Sequence, residues 1–357
     1  MLKQIHLLRT YHPHWGKYSG INRFIEYVDS DLYKIEDRVI PIGSNDFPVT
    51  NKLIRRCVIE IIKRKNVARQ IYSLNDLTAE IIGFCQWLKG RVDILHYLDG
   101  EHSLQYLPSL ISKLRTNQHR TPIVANFHLP PAKLSTWVNT DILHRLDRAI
   151  VLCPEQRTYF EQYLPKEKIS LIPHGIDTEY FQPAIQPNKQ YKFKCLTVGL
   201  MLRDYNAVFA VAKKLEDYSD LEFHIVSSKV KLTSEAKNIR LHKNIDDAAL
   251  LKLYQESNVL FLPLIAATAN NVLLEGIACG LPIVSTQLSS IATYVPGPEA
   301  ILIEDNNPEA FAEAVLSLYR QPEKCQQMSE LARQRAMELS WTKIARKYED
   351  LYSQLIA

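Results

Sequence analysis

"NVLFLPLIAATANNVLLEGIACGLPIVST", residues 258 to 286, reads as a strand, a loop of small residues, a helix and a second strand. Both apolar runs are continuous rather than alternating, as strands covered on two faces are, and a lone helix between them is the crossover that joins parallel strands. The same order recurs on either side. "KQIHLLRT", "KIEDRVIPI", "VDILHYL", "TPIVANFH", "RAIVLC" and "ISLIPHG" are strand candidates in the first half, and "KCLTVGL", "LEFHIVS", "NIRLHK", "NVLFLPL", "LPIVST" and "AILIE" in the second. Amphipathic segments separate them, and from Pro308 onward only helical patterns follow. The fold class this predicts is α/β, with two doubly wound parallel-sheet domains in tandem that leave a cleft at the carboxyl ends of their strands, where ligands of such sheets bind.

Between the two runs lies "IPHGIDTEYFQPAIQPNKQYK", whose Pro173, Pro183, Pro187 and Gly175 disfavour a regular element. The domain boundary is therefore expected near residue 185. At 357 residues the chain is long enough for two cores, and 46% hydrophobic with 23% charged residues is globular composition. The start "MLKQIHLLRTYHPHW" lacks a secretory pattern, and the longest apolar run, "VLFLPLIAA", is too short to cross a bilayer. Six cysteines, Cys57, Cys85, Cys153, Cys195, Cys279 and Cys325, include no C-x-x-C pair and sit mostly among apolar neighbours, which points to a reducing cytoplasm. A net charge of +4 gives no reason to expect nucleic acid as a partner.

One carboxylate, Glu275, interrupts the helix of the opening stretch. Backbone amides around Asn270, Asn271 and Val272 would form that helix's first turn, where unpaired N–H groups and the positive end of the dipole suit phosphate oxygens. Glu275 lies about one turn further along the same face, where a carboxylate can accept from paired ribose hydroxyls. A glutamate that points to solvent or pairs with a lysine fits the spacing equally well.

"NNVLLEGIACGLPIV" resembles the donor-site helix of the retaining glycosyltransferases of family 4, whose pattern ends in Leu-Glu-Ala-x-Ala-x-Gly-x-Pro-Val. "ISLIPHGIDTEYFQP" and "LDRAIVLCPEQRTYF" resemble the family's entry into its second domain, and "FHIVSS" and "IRLHKNIDDAALLKLYQESNVLFLPL" continue the same order. The resemblance implies the GT-B fold, two Rossmann-like doubly wound domains facing each other across a cleft. Residues 1–185 would form the acceptor-binding domain, 186–340 the nucleotide-sugar-binding domain, and 341–357 a helix crossing back to the first. By position Glu275 matches the second glutamate of the family's paired motif, the one that holds the ribose. The first falls at Ala267, a departure that Asn270 and Asn271 can offset in part; their alternative role is helix capping.

The turn after "CLTVGL" usually carries Gly-Arg and a later lysine in this family. Here Gly199 is followed by Leu200, and Arg203 is the resembling choice for the diphosphate clamp, a surface arginine paired with Asp204 being the alternative. In the first domain, His128 at the end of "TPIVANFH" matches a functionally sensitive histidine near the donor sugar and attacking hydroxyl, and is the catalytic candidate, although a lone histidine is usually structural. His96, Tyr97, Asp99 and Glu101 after "DILHYL" suit acceptor hydroxyls, and a turn built on Asp99-Gly100 explains them as well. Ser19 and Gly20 in "HPHWGKYSGINRF" match the family's first-strand loop, where backbone can approach the diphosphate; glycine there is otherwise a turn former.

No Asp-x-Asp pair or His-x-x-x-His set is placed at a strand end to hold a metal, and the resemblance implies that helix dipole and basic side chains replace a divalent ion. No cofactor is expected beyond the nucleotide sugar, for which a UDP-sugar is the first choice. The acceptor is a glycan, lipid-linked or small-molecule hydroxyl. "NKLIRRCVIEIIKRKNVARQIY" places Ile54, Val58, Ile61 and Ile62 at helical spacing among seven basic residues of the 52–69 stretch. That face either packs in the core or rests on an anionic membrane, at the cytoplasmic side. Two functions follow: a glycosyltransferase, or, given Ala267 and Leu200, a non-catalytic nucleotide-sugar-binding scaffold subunit. An NAD-dependent enzyme would need a G-x-G-x-x-G turn after a strand, which is absent from the sequence.

Overall fold

The structure is a computed structural model describing residues 2–10, 17–18, 20–41, 47, 51–65, 72–114, 121–185, 192–231 and 237–356. Six strands, β1 (Lys3–Thr10), β2 (Tyr33–Ile40), β3 (Ile94–Tyr97), β4 (Ile123–Asn126), β5 (Arg148–Val151) and β6 (Ile169–Leu171), form one sheet in the order β2-β1-β3-β4-β5-β6. Six more, β7 (Phe193–Val198), β8 (Leu221–Val226), β9 (Ile239–His242), β10 (Val259–Leu262), β11 (Ile283–Thr286) and β12 (Ala300–Ile303), form a second in the order β12-β11-β10-β7-β8-β9. Every pairing is parallel. Residues of β3, β4, β10 and β11 are buried throughout, so these strands read as mostly apolar runs, broken only by His96, Asn126, Ser285 and Thr286.

Helices alternate with the strands. Local chemistry sets their ends: the helix Leu74–Lys89 opens with a Ser73–Asp76 capping box and closes on Gly90 at φ +61°, a left-handed position that glycine takes without strain. Each sheet has its own core. Leu8, Leu95, Ala125, Phe127, Phe160 and Ile123 belong to the first, and Val208, Phe223, Phe261, Val284, Phe311 and Val315 to the second.

The chain divides into two compact units, residues 1–173 with 344–357, and residues 174–343. The division thus falls twelve residues before the boundary expected near 185. The reason is that prolines suppress regular hydrogen bonding without making a linker. His174 N–H donates to Tyr294 Oη at 2.9 Å, Ile176 exchanges backbone bonds with Leu339 and Trp341, and Arg333 donates to the carbonyls of Thr178 and Phe181. These bonds tie residues 174–181 to the second unit.

The last helix, Trp341–Ile356, contributes to both units. Trp341 is buried in the second, its ring 5.0 Å from that of His174. Tyr348 and Tyr352 are buried in the first, where Tyr352 Oη lies 2.7 Å from His96 Nδ1 and Asn126 Nδ2 donates to Tyr348 Oη at 2.9 Å. Among the described residues no helix is long and apolar enough to cross a membrane.

Candidate functional site

In the second sheet the strand order reverses between β7 and β10, so the loops leaving their carboxyl ends part at a topological switch point, where open α/β sheets bind ligands. Gly199 begins the β7 loop at φ +93°, a conformation open to glycine, and a Cβ there would also come within 3.2 Å of Arg203 Nη2. Arg203 lies along this turn. Its Nε donates to Val198 O at 3.0 Å, Nη1 to Met201 O at 3.0 Å, and Nη2 makes a longer contact of 3.4 Å with Asn270 Oδ1. Burial pulls the guanidinium below its ordinary value, while the neighbouring Tyr254, Tyr205 and Glu275 act to raise it. The alternative pairing with Asp204 does not form: Asp204 Oδ1 caps the next helix at Ala207 N, and Oδ2 accepts from Asn306 Nδ2 at 2.9 Å.

The β10 loop runs antiparallel to this turn through a bridge between Arg203 and Leu264. It leads into the helix Asn271–Ala278, whose cap is Asn270: its side chain accepts from Leu273 N at 3.3 Å. Capping and a contact with Arg203 thus coexist in one asparagine. Asn271 and Val272, the first two helical residues, are half-buried. Glu275 is 5% exposed, which overturns the solvent-facing alternative. Its Oε2 accepts from Tyr254 Oη at 2.7 Å, so a phenol from the helix Asp247–Gln255 answers why a carboxylate is tolerated in that interior. Sequence reading missed Tyr254, whose only local mark is an aromatic residue in an ordinary amphipathic helix. It also missed Asn306, which braces both loops by donating to Asp204 and to Leu264 O at 3.0 Å.

The first unit carries the other candidates. His128 follows β4, with its side chain 23% exposed. Its backbone N–H donates to Glu101 Oε1 at 2.9 Å, and Nδ1 lies 3.5 Å from the same oxygen. Burial works to raise the Glu101 carboxyl, but the charge and hydrogen bond of His128 outweigh it and hold Glu101 below its ordinary value. Glu101 itself is 3% exposed, so it faces His128 rather than an acceptor.

Three neighbours expected to face acceptor hydroxyls are interior residues. Tyr97 is fully buried beneath Gly83, where an added Cβ would overlap its hydroxyl. Asp99 accepts from Thr10 N at 3.2 Å and from Ser103 Oγ at 2.8 Å, binding the end of β1 to the turn after β3. His96 is buried between Tyr352 and Asn126, and burial pushes it down to about 4. The sequence showed all three at a strand end, but burial of that end is decided by residues distant along the chain, here Gly83, Thr10 and Tyr352. Gly20 is buried, extended, and accepts from Arg23 N at 3.0 Å at the start of a 3-10 turn, as the turn-forming alternative requires. Ser19 lies outside the described residues. Among the described residues no group of three or more His, Cys, Asp or Glu side chains is placed to hold a metal ion.

Residues 54–180 match the family described as Glycosyltransferase Family 4, and residues 193–321 match Glycosyl transferases group 1. The chain belongs to this glycosyltransferase family. Among its relatives, a D-inositol 3-phosphate glycosyltransferase of Corynebacterium urealyticum is 23% identical over 53% of this chain and 52% of that protein. The D-rhamnosyltransferase WbpZ of Pseudomonas aeruginosa is 25% identical over 70% of this chain and 66% of that protein. The chain spans about half the length of the first of these curated relatives and two-thirds of the second. Sucrose-phosphate synthase from Thermosynechococcus elongatus superposes with a TM-score of 0.71 at 15% identity over 99% of both chains. Anabaena HepE, solved with UDP and glucose, gives 0.65 at 12% identity over 99% of this chain and 100% of that one. At such identities the likeness establishes the GT-B fold, which this family 4 chain shares.

Proposed function

We propose that the chain transfers a hexose-type sugar from a nucleotide sugar, a UDP-sugar first of all, to an acceptor hydroxyl, with retention at the anomeric carbon and without a divalent ion or other cofactor. The acceptor is a glycan, a lipid-linked or a small-molecule alcohol. The observation that carries this reading is the convergence of Arg203, Asn270 and Tyr254-bound Glu275 on the loops of the β7/β10 switch point. A guanidinium has five N–H donors, and the bonds to Val198, Met201 and Asn270 use three; a diphosphate takes the fork that remains. Helix-start amides at Asn271 and Val272 share that charge, and the Glu275 carboxylate accepts from the ribose. UDP in HepE favours this nucleotide.

In the first unit His128, positioned by Glu101, orients the attacking hydroxyl, whose proton leaves with the departing phosphate. Retention follows the family resemblance. Six free cysteines favour a cytoplasmic site of action. The test is release of UDP from a panel of UDP-sugars, with the anomeric configuration of the product read by proton NMR. A switch in nucleotide preference, an inverted product, or a requirement for added magnesium each removes the corresponding part of the reading.

A second reading, a non-catalytic subunit that binds the nucleotide sugar, is favoured by Ala267 at the position of the first motif glutamate and by Leu200, 44% exposed, where the family places arginine. Tight UDP binding without release from any donor selects it.

A further inference from the structure

The second unit carries a cavity of about 380 Å³ whose lining includes none of the donor-site residues. Phe193, Asn258 and Pro282 stand at or just before the first residues of β7, β10 and β11, so the cavity lies at the amino-terminal edge of the sheet, whereas Arg203 and Asn270 follow the carboxyl ends of β7 and β10. At about 3.3 Å per residue, β7 alone sets the two places about 17 Å apart. Buried Gly280, Leu281 and Pro282 form its inner wall. The helix Pro322–Glu338 forms one side through Pro322, Cys325, Gln326 and Ser329, whose spacings of three, four and seven put them on one face.

The lining selects the ligand. Among the described residues, none with a charged side chain borders the cavity, so a phosphate or carboxylate finds no counter-charge there. An apolar guest fits no better, because it would strip water from the neutral amides and hydroxyls of Gln255, Ser257, Asn258, Gln326 and Ser329 without replacing the bonds. Two of those amides are already oriented. Asn258 Oδ1 accepts from Lys194 N at 2.8 Å, which leaves Nδ2 as a donor, and Gln255 Nε2 donates to Gln182 O at 2.9 Å, which leaves Oε1 as an acceptor. A fixed donor and a fixed acceptor in one cavity suit hydroxyl groups, each of which both gives and takes a hydrogen bond. Phe193 and Tyr319 add rings in edge contact at 5.7 Å, and Tyr319 is held by its Oη, which donates to the Asp220 carboxylate at 2.9 Å. The negative face of such a ring attracts the polarised C–H groups of a pyranose.

We propose that this cavity is a second carbohydrate site, binding a neutral saccharide unit apart from the donor site at the β7/β10 switch point. Asn258 and Gln255 hold a pair of neighbouring hydroxyls, and the wall of Phe193 and Tyr319 takes the face of the ring. A glycan gripped there is kept at a raised concentration near the protein. The proposal goes beyond the donor-site reading and does not depend on it.

Cys325, which lines the cavity, reports on its occupancy. Labelling of the full chain by iodoacetamide is followed by peptide mass spectrometry at about pH 9, because burial pushes the Cys325 thiol up to about 11 and only the thiolate reacts; exposed Cys85 is the internal reference. The probes are glucose, N-acetylglucosamine, maltose and lactose, with sorbitol as the control for crowding by a polyol. A sugar bound with a Kd of about 10 mM and present at about 50 mM should slow Cys325 labelling by 1 + [L]/Kd, about sixfold, and leave Cys85 unchanged. Asn258→Asp keeps the Oδ1 bond to Lys194 and loses only the Nδ2 donor, and should lower that affinity about fivefold. Gln326→Trp, at an exposed position on the rim, should fill the mouth and abolish protection. No protection by any of these sugars beyond that given by sorbitol, protection that both variants retain in full, or protection by glucose 6-phosphate at a lower concentration than by glucose would each overturn the proposal. UDP affinity of both variants, measured by calorimetry, stays parental whichever way the labelling falls, which keeps this test separate from that of the donor site.

Discussion

Replacing Glu275 by glutamine puts the donor reading to its sharpest test. Glutamine keeps the shape of the side chain and can still accept the 2.7 Å bond from Tyr254, so the helix Asn271–Ala278 should hold its place. What disappears is the charge. A hydrogen bond to an ionised group contributes about 1.5–3 kcal/mol and a neutral one about 0.5–1.5 kcal/mol, so the ribose contact should weaken by about 1–2 kcal/mol. That is about 5- to 30-fold in the Kd for UDP. Alanine would confuse the measurement, because it strands the buried Tyr254 hydroxyl and opens a cavity, whereas glutamine does neither. Titration calorimetry with UDP gives the affinity, and thermal unfolding of the unliganded protein shows that the fold is intact. Tyr254→Phe is the companion: it removes a donor from a buried carboxylate and should cost stability by about 1–3 kcal/mol. Should Glu275→Gln bind UDP as tightly as the parent while melting at the same temperature, Glu275 does not touch the nucleotide and the argument for this site is lost.

Arg203→Lys removes the fork that spans Val198, Met201 and Asn270, and should weaken UDP at least tenfold while leaving uridine affinity within twofold, as calorimetry with both ligands would show. Glu101→Gln should lower kcat for sugar transfer and shift its pH profile with little change in the KM for the donor, since Glu101 acts through His128; parental kcat at every pH would dismiss that role. Acid should weaken the first unit through His96. Burial depresses its folded value to about 4, so between the ordinary 6.5 and that value the unfolded chain takes up the extra proton and stability falls as pH drops, by about 2 kcal/mol from pH 6.5 to 5. Glu80 opposes this: burial raises it to about 7 despite three backbone N–H donors, so protonation below pH 7 favours the folded state. Urea midpoints at pH 7 and 5 should therefore show Glu80→Gln more acid-sensitive than the parent, and His96→Gln less so.

The inner strands were legible in the sequence because a strand covered on both faces reads as a nearly continuous apolar run, as β10 does, and that requirement is written locally. The order of elements, the position of Arg203 and Asn270 on strand-to-helix loops and that of Glu275 in the helix that follows came from the same local grammar and from the family resemblance. Burial is a different matter, because it is conferred by neighbours distant along the chain. Tyr254 is 21 residues from the carboxylate it holds, and Tyr352 is 256 from His96. Tyr97 and Asp99 look like cleft residues until Gly83 and Thr10 close over them. The basic helix shows the converse: its period of apolar residues allows either a core or an open face, and only the packing of the first unit leaves Leu53 and Ile54 in solvent. Sequence therefore determined which segments are strands, which are helices and which loops bear chemistry. Tertiary structure decided which of those polar groups are reachable and which are sealed, because solvent exposure belongs to the assembled surface and to no single stretch of chain.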